Sequence, residues 1–235
     1  MLYVKTIPER LAQIGRHFTT GYLTVYVRNV TDRTKNPFGM EPSCSQFVPG
    51  YGDANADFHV IGDHPGVHGG IDTQVPFTGV QWAETLQQTL VDVGLLASTG
   101  DEPAVQRTFF SYLHMCVPTE EPTEAQYQDM ERFFDAELRA IAAHVLLPVG
   151  ARATKHVLEQ YSAQAWKTEI DMTALHGREI RGSGFLILPI KDPAEWVDGD
   201  AEILRTSIQT LRSTDYRRET DLGRFIAGAE PYFVR

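Results

Sequence analysis

The chain has 235 residues, 42% of them hydrophobic and 10% aromatic, with 31 acidic side chains against 21 basic ones and a formal net charge of -10. That length and apolar content support a full hydrophobic core and exclude global disorder. No apolar run approaches the roughly 20 residues that cross a bilayer, and the mixed-charge N-terminus does not read as a signal peptide, so a soluble, cytoplasmic protein is expected.

In chain order, Pro8 followed by Leu11, Ile14 and Phe18 at helical spacing predicts a short helix within residues 1–20. Gly21 to Val30 alternates like a strand, and Thr31 to Gly52, rich in Pro, Gly, Asn and Ser, reads as a long loop. Strands are then predicted at Ala56–Gly62, Thr108–Cys116, His144–Gly150 and Gly184–Ile190. Between and after them come helices over Gly79–Gly94, from the Thr123-x-x-Gln126 capping box to Ile141, over Ala151–Gln160 and over Asp200–Arg212. Four apolar strands separated by helices predict an α/β fold, a three-layer sandwich whose central four-stranded parallel sheet is covered on both faces. A single domain is expected over 1–235, with its motifs in about 40–213. The tail 214–235 is placed to dock through Phe225, Tyr232 and Phe233.

Ligands of open α/β sheets bind just past the carboxyl ends of the strands. The turn Gly62-Asp63-His64-Pro65-Gly66 sits at such an exit and delivers a carboxylate and an imidazole, and Val75-Pro76-Phe77-Thr78-Gly79 follows it. Cys116–Pro118, Gly150 and Lys191-Asp192-Pro193 mark the other exits and define one edge as the site. Cys44 and Cys116 are expected as buried or free thiols, and two cysteines cannot complete a four-thiolate metal site. The acidic balance argues against indiscriminate nucleic-acid binding but not against a local basic patch. Arg outnumbers Lys among the bases, a composition compatible with high internal salt, which would screen repulsion from DNA.

This order of motifs resembles the uracil-DNA glycosylase superfamily, most closely its iron–sulfur-containing family four. There the first turn reads Gly-Glu-Ala-Pro-Gly and is followed by Gly-x-Pro-Phe-x-Gly. Val48–Gly52, Cys116-Val117-Pro118 with Pro122-Thr123, Leu147–Ala151, and Leu188–Pro193 look like the family's successive segments, so the resemblance spans about 40–213. It implies a DNA-repair glycosylase that flips a uracil or other deaminated base into a pocket. The same resemblance implies that Asp63 orients the attacking water, with help from His64 or His68, while Gly62, Pro65 and Gly66 shape the substrate turn and Phe77 stacks on the base.

Three positions depart from the family. The cluster cysteines are reduced to Cys44 and Cys116, with Met130 where another belongs, so no cofactor and no metal are expected. Tyr112 stands where the family's base-reading Asn falls, and Asp192 where its His falls. Asp192 would repel a leaving base unless protonated, which leaves Lys191, His114 or His176 to supply the stabilising group. Arg152, Lys155, Arg178 and Arg181 are candidate phosphate contacts. Blander roles stand beside these: a turn-capping Asp63, a core Phe77, a space-filling Tyr112 and solvated bases. The expected partner is DNA carrying a damaged base, bound by a monomer with no membrane involved. One alternative is a catalytically reduced member that binds damaged DNA or nucleotides without cleavage, and another is an unrelated small-molecule hydrolase whose pocket lacks a basic rim.

Overall fold

Strands that are near-continuously apolar and buried at every position have no solvent face and need cover on both sides. A computed structural model, which describes residues 29–225, places four such strands parallel and side by side. The order along the chain begins with β1 (Tyr51–Gly52), β2 (Phe58–Gly62), α1 (Pro65–His68), α2 (Ala83–Asp92) and β3 (Thr108–Tyr112). It continues with α3 (Glu124–Ile141), β4 (Val145–Pro148), α4 (Gly150–Tyr161), α5 (Met172–Leu175), β5 (Ile180–Arg181), β6 (Leu186–Ile187), α6 (Asp200–Arg212) and α7 (Tyr216–Phe225).

The sheet order is β1-β3-β2-β4-β6-β5. Strands β3, β2, β4 and β6 are parallel, and β1 and β5 add antiparallel edges. The sheet is therefore six-stranded and mixed rather than four-stranded and parallel throughout. Each edge strand is two residues long, too short to leave an alternation in the sequence. The helix expected in 1–20, and all but the last two residues of the strand expected over 21–30, lie outside the described residues, as do Tyr232 and Phe233. Val30 opens a 3-10 turn to Asp32 instead of ending a strand.

Alternation along β2 divides the core. Phe58 and Val60 join Leu86 and Leu90 of α2 and Leu204, Ile208 and Leu211 of α6, whereas Ile61 joins Phe134 and Leu138 of α3 and Val157 and Leu158 of α4. Each such side chain taken from water contributes about 1.5–3 kcal/mol. The predicted capping box starts α3: Thr123 Oγ1 accepts the Gln126 amide and Gln126 Oε1 accepts the Thr123 amide. At the amino ends of the strands, buried Asp57 accepts hydrogen bonds from Arg107 and from Arg217 of α7, fastening that helix to the sheet. Desolvation pushes the Asp57 pKa up, but the two guanidinium groups outweigh it and hold it below the usual carboxylate range.

Cys44 and Cys116 are not separate thiols; they form a disulfide with Cα atoms 6.1 Å apart. No local spacing announces a pair 72 residues apart. The loop before β1 folds back onto the chain beyond β3, where the Val48 amide donates to Met115 O at 2.8 Å and the Val117 amide to Gln46 O at 2.9 Å. That pairing sets Phe47 opposite Cys116 and brings the sulfurs together.

Two measurements test these features. A cross-link closing so long a loop restricts the unfolded chain by up to roughly 4 kcal/mol. The double variant Cys44→Ser/Cys116→Ser should lose stability of that order in urea, and the unfolded, unreduced protein should titrate no thiol; two thiols and unchanged stability would contradict the linkage. Glu137 of α3 is wholly buried against Gly50, where any side chain would collide with its Oε1, and desolvation raises its pKa to about 8. The folded state thus holds a proton that the unfolded state releases near pH 4. Stability should fall as pH rises from about 4 through about 8, and Glu137→Gln should flatten that decline in melting curves.

Candidate active site

The carboxyl ends of β2, β4 and β6 open on one cleft of about 240 Å³, lined by Asp63, His68, Gly150, Arg152, Met172 and Asp192 among others. Asp63 follows directly on β2. Its carboxylate does not cap the turn it sits in: Oδ1 accepts a hydrogen bond from the Tyr127 hydroxyl, and Oδ2 lies 3.8 Å from Arg152 Nε. Arg152 also stacks its guanidinium over the Tyr127 ring at 4.4 Å and donates to Glu124 Oε1 at 2.7 Å. One side chain from α3 and one from the first turn of α4 thus fix the carboxylate in a cleft, where a water or a developing cation can meet it. Desolvation first, then Asp63, pushes the Tyr127 pKa far above its ordinary value, so its hydroxyl stays a donor.

His64 is the N-cap of α1, its Nδ1 accepting the Gly66 amide at 3.1 Å, with Nε2 3.6 Å from Glu121. Burial lowers its pKa against the opposing pull of Asp63 and Glu121. The cap, not the cleft, is its place. His68, at the end of α1, turns inward instead. Its Nδ1 accepts the Asp63 amide at 2.9 Å, and its Nε2 faces Asp192 Oδ2 at 3.5 Å without a hydrogen bond. Desolvation works to raise the pKa of Asp192, but the facing imidazole and the Ala194 amide outweigh it and hold the carboxyl below the ordinary range. An ionised Asp192 is an acceptor and cannot stabilise negative charge on a leaving group, so the one condition under which the sequence allowed it a catalytic role there, a protonated carboxyl, is not met.

Phe77 and Tyr112 are almost completely buried. The Tyr112 hydroxyl accepts the Phe77 amide at 2.9 Å and reaches the carbonyls of His68 at 2.8 Å and Gly69 at 3.0 Å. Phe77 adopts a left-handed φ of 60°, uncommon for a residue with a side chain, and is held there by Tyr112 on its amide and Gln87 on its carbonyl. The His68 imidazole lies 5.6 Å from the Phe77 ring, so the ring has no free face to offer in this state. Gly62 must be glycine, because a Cβ there would press on Tyr112 and on His68 Nδ1. Pro65 supplies the first residue of α1, and Gly66 gives its amide to His64.

The remaining candidates separate. Lys191 turns away from the cleft and binds Asp200 at 2.9 Å, so it supplies no charge to a leaving base. His176 is buried between the Lys191 amide and Asp200 O, and His114 hydrogen-bonds Cys116 O. Arg152 stands at the rim, exposed Lys155 lies one turn further along α4 near Glu159, and Arg178 is exposed. Arg181 lies by Glu219 of α7, towards the amino ends of the strands, which removes it from the site edge. The disulfide packs with Met40, Phe47, Met130 and Phe133, and Cys116 Sγ is 3.6 Å from Met130 Sδ. Two sulfurs already bound to each other and one thioether do not fit an iron–sulfur cluster, whose irons are held by four protein ligands, ordinarily thiolates.

Tyr127 and Glu124 went unnoticed in the sequence. Their only signal was their place in the first turns after the capping box, the end of α3 nearest the strand exits.

Comparison with known sequences agrees with this geometry. The family description "Uracil DNA glycosylase superfamily" matches residues 49–206. A type-5 uracil-DNA glycosylase of Pyrobaculum aerophilum is 25% identical over 182 residues, which cover 75% of this chain and 76% of that protein. A type-5 uracil-DNA glycosylase of Thermus thermophilus is 28% identical over 133 residues, covering 54% of this chain and 61% of the relative. Both relatives carry the type-5 name rather than that of family four, which the motif order resembles. Matched over most of its length and with its strand exits gathered on one cleft, the chain belongs to the uracil-DNA glycosylase superfamily.

Proposed function

We propose that this protein is a DNA glycosylase that hydrolyses the N-glycosidic bond of uracil or another deaminated base. The observation that carries the reading is the Asp63 carboxylate, held at the exit of β2 by Tyr127 and Arg152 and facing the cleft. Glycosidic hydrolysis passes through an oxocarbenium-like sugar and needs a placed water. The C1′–N bond breaks with its electron pair going to the base. Asp63 lies beside the developing cation and orients the water whose oxygen bonds to C1′, taking up the proton that the water gives away. Holding Asp63 from both sides limits the rearrangement needed during the reaction. Arg152, Lys155 and Arg178 are the candidate phosphate contacts on this reading. No step passes through an iron–sulfur cluster, and the disulfide with Met130 takes over the packing at that place. The names of the relatives favour the type-5 division over family four.

A second reading is a member that binds damaged DNA without cleaving it. It is favoured by one observation: the Phe77 ring is covered by His68, and the Tyr112 hydroxyl is fully engaged, so neither is free to receive a base in this state.

Incubation with labelled single- and double-stranded oligonucleotides carrying uracil, hypoxanthine or xanthine, then alkaline cleavage, separates the two, at low and at molar salt. Abasic product is expected, and Asp63→Asn should slow its formation by about 10²–10⁴-fold. An unimpaired Asp63→Asn would refute the role of the carboxylate, and retained binding with no product on any substrate would favour the second reading.

A further inference from the structure

One buried polar atom of the cleft is poorly satisfied. His68 is 1% exposed, and its Nε2 makes no hydrogen bond of good geometry, its nearest acceptor being Asp192 Oδ2 at 3.5 Å. The state of this ring is set from behind. The Asp63 amide can only donate, so Nδ1 must accept, and a neutral imidazole that accepts at Nδ1 carries its proton on Nε2. The cleft therefore presents an N–H donor at His68 and a carboxylate acceptor at Asp192, 3.5 Å apart and on two different strand exits. At Gly150 a Cβ would stand 3.8 Å from His68 Nε2, so no side chain from that position covers the donor. A space of about 240 Å³ lies below the roughly 300–1,000 Å³ of drug-sized pockets and suits one flat ring.

We propose that His68 and Asp192 together read the lactam edge of a base, the adjacent C=O and N–H that deamination creates. The carbonyl oxygen accepts from His68 Nε2–H, and the ring N–H donates to Asp192. Uracil, hypoxanthine and xanthine all present this pair, whereas cytosine and adenine present the reverse, an amino donor beside a bare ring nitrogen. Against Asp192 that bare nitrogen sets two acceptors face to face, and against His68 the amino group sets two donors. Thymine and guanine also carry the lactam edge and differ by a methyl or amino group, which this pair does not read. The base-reading residue of the resembled family falls at Tyr112, whose hydroxyl is spent on the backbone, so in this chain the reading passes to the opposite wall. Asp192 is held ionised, as an acceptor must be. The inference rests on the glycosylase reading for the kind of ligand, but not on bond cleavage.

Four single-stranded oligonucleotides, identical except for one central uracil, 3-methyluracil, cytosine or hypoxanthine, share their backbone charge and so isolate the edge. Binding by fluorescence anisotropy and release of the base are measured in parallel. Uracil and hypoxanthine should outperform 3-methyluracil and cytosine by at least about tenfold in one or both readouts, the discrimination that unpaired buried polar groups provide. His68→Asn, whose side-chain oxygen can still accept the Asp63 amide, should bring uracil down to the level of cytosine while leaving the melting temperature near that of the parent. Asp192→Asn, which presents both a donor and an acceptor, should narrow the gap between uracil and cytosine. Preferential binding without release sustains the proposal and sinks the glycosylase reading. Release of 3-methyluracil as fast as uracil does the reverse. Equal binding of all four with no release overturns both.

Discussion

Tyr112 lies at the exit of β3 beneath the segment that runs from His68 to Phe77, and its hydroxyl ties that segment down at both ends by accepting the Phe77 amide and reaching the carbonyls of His68 and Gly69. Burial in apolar surroundings pushes its pKa well above the ordinary phenol value, so at working pH it is a fully satisfied neutral hydroxyl. Three features depend on it. The left-handed backbone at Phe77 is maintained because its amide has this one buried partner. The His68 ring is pressed between Phe77 and Trp82 at centroid distances of 5.6 and 5.9 Å, in the orientation that lets Nδ1 reach the Asp63 amide. Through that amide, the turn carrying the Asp63 carboxylate is positioned from within. A polar side chain reaching up from β3 to read a base could not do all this, since its hydrogen-bonding capacity would be committed to the ligand.

The parallel strands were legible because their apolar residues leave no solvent face, and α3 because a capping box is a local signal confined to four residues. The order of glycine- and proline-rich exits identified the edge that carries the cleft, and Asp63 and Arg152 were both found there. What escaped the sequence depends on which distant side chain answers which. Lys191 has the residue type and strand exit of a catalytic cation, yet its charge is consumed by Asp200 nine positions later. Arg181 lies on a strand only two residues long, and its direction depends on an antiparallel register that such a short run does not encode. The disulfide required knowing that the loop before β1 lies along the chain after β3. Family resemblance put Asp192 at the position of the family's His but left its protonation open, and its neighbours hold it ionised.

The charges at this edge form an alternating series. Glu124, Arg152, Asp63 and Tyr127 are linked by hydrogen bonds and short contacts, so the guanidinium that would meet a phosphate is already engaged by Glu124, itself an exposed side chain. An exposed ion pair of this kind is worth little in water, and a phosphate offers Arg152 a bidentate partner of higher charge. Approach of a polyanion therefore exchanges one weak partner for a stronger one and, in doing so, alters what lies next to Asp63. Molar salt weakens the Arg152–Glu124 pair and the protein's long-range repulsion of DNA together, but weakens phosphate binding as well.

The two carboxylates of the cleft pull the chemistry in opposite directions. On the proposed glycosylase reading, Asp63 would stand where positive charge develops on the sugar and would lower the barrier. On the same reading Asp192, which lines the same cleft and is held ionised, would oppose the negative charge that a departing base acquires. A neutral His68 N–H offsets only part of that repulsion, because it adds a dipole rather than a full charge. If Asp192 reads the base as proposed, an ionised acceptor there would sacrifice rate, in the way that enzymes commonly trade catalytic power for discrimination. The same balance explains why the glycosylase and binding-only readings lie close together for this chain. The first rests on Asp63 and its partners and the second on the covered Phe77 and the engaged Tyr112, and on the glycosylase reading the rate would depend on whether Asp63 and its neighbours outweigh Asp192.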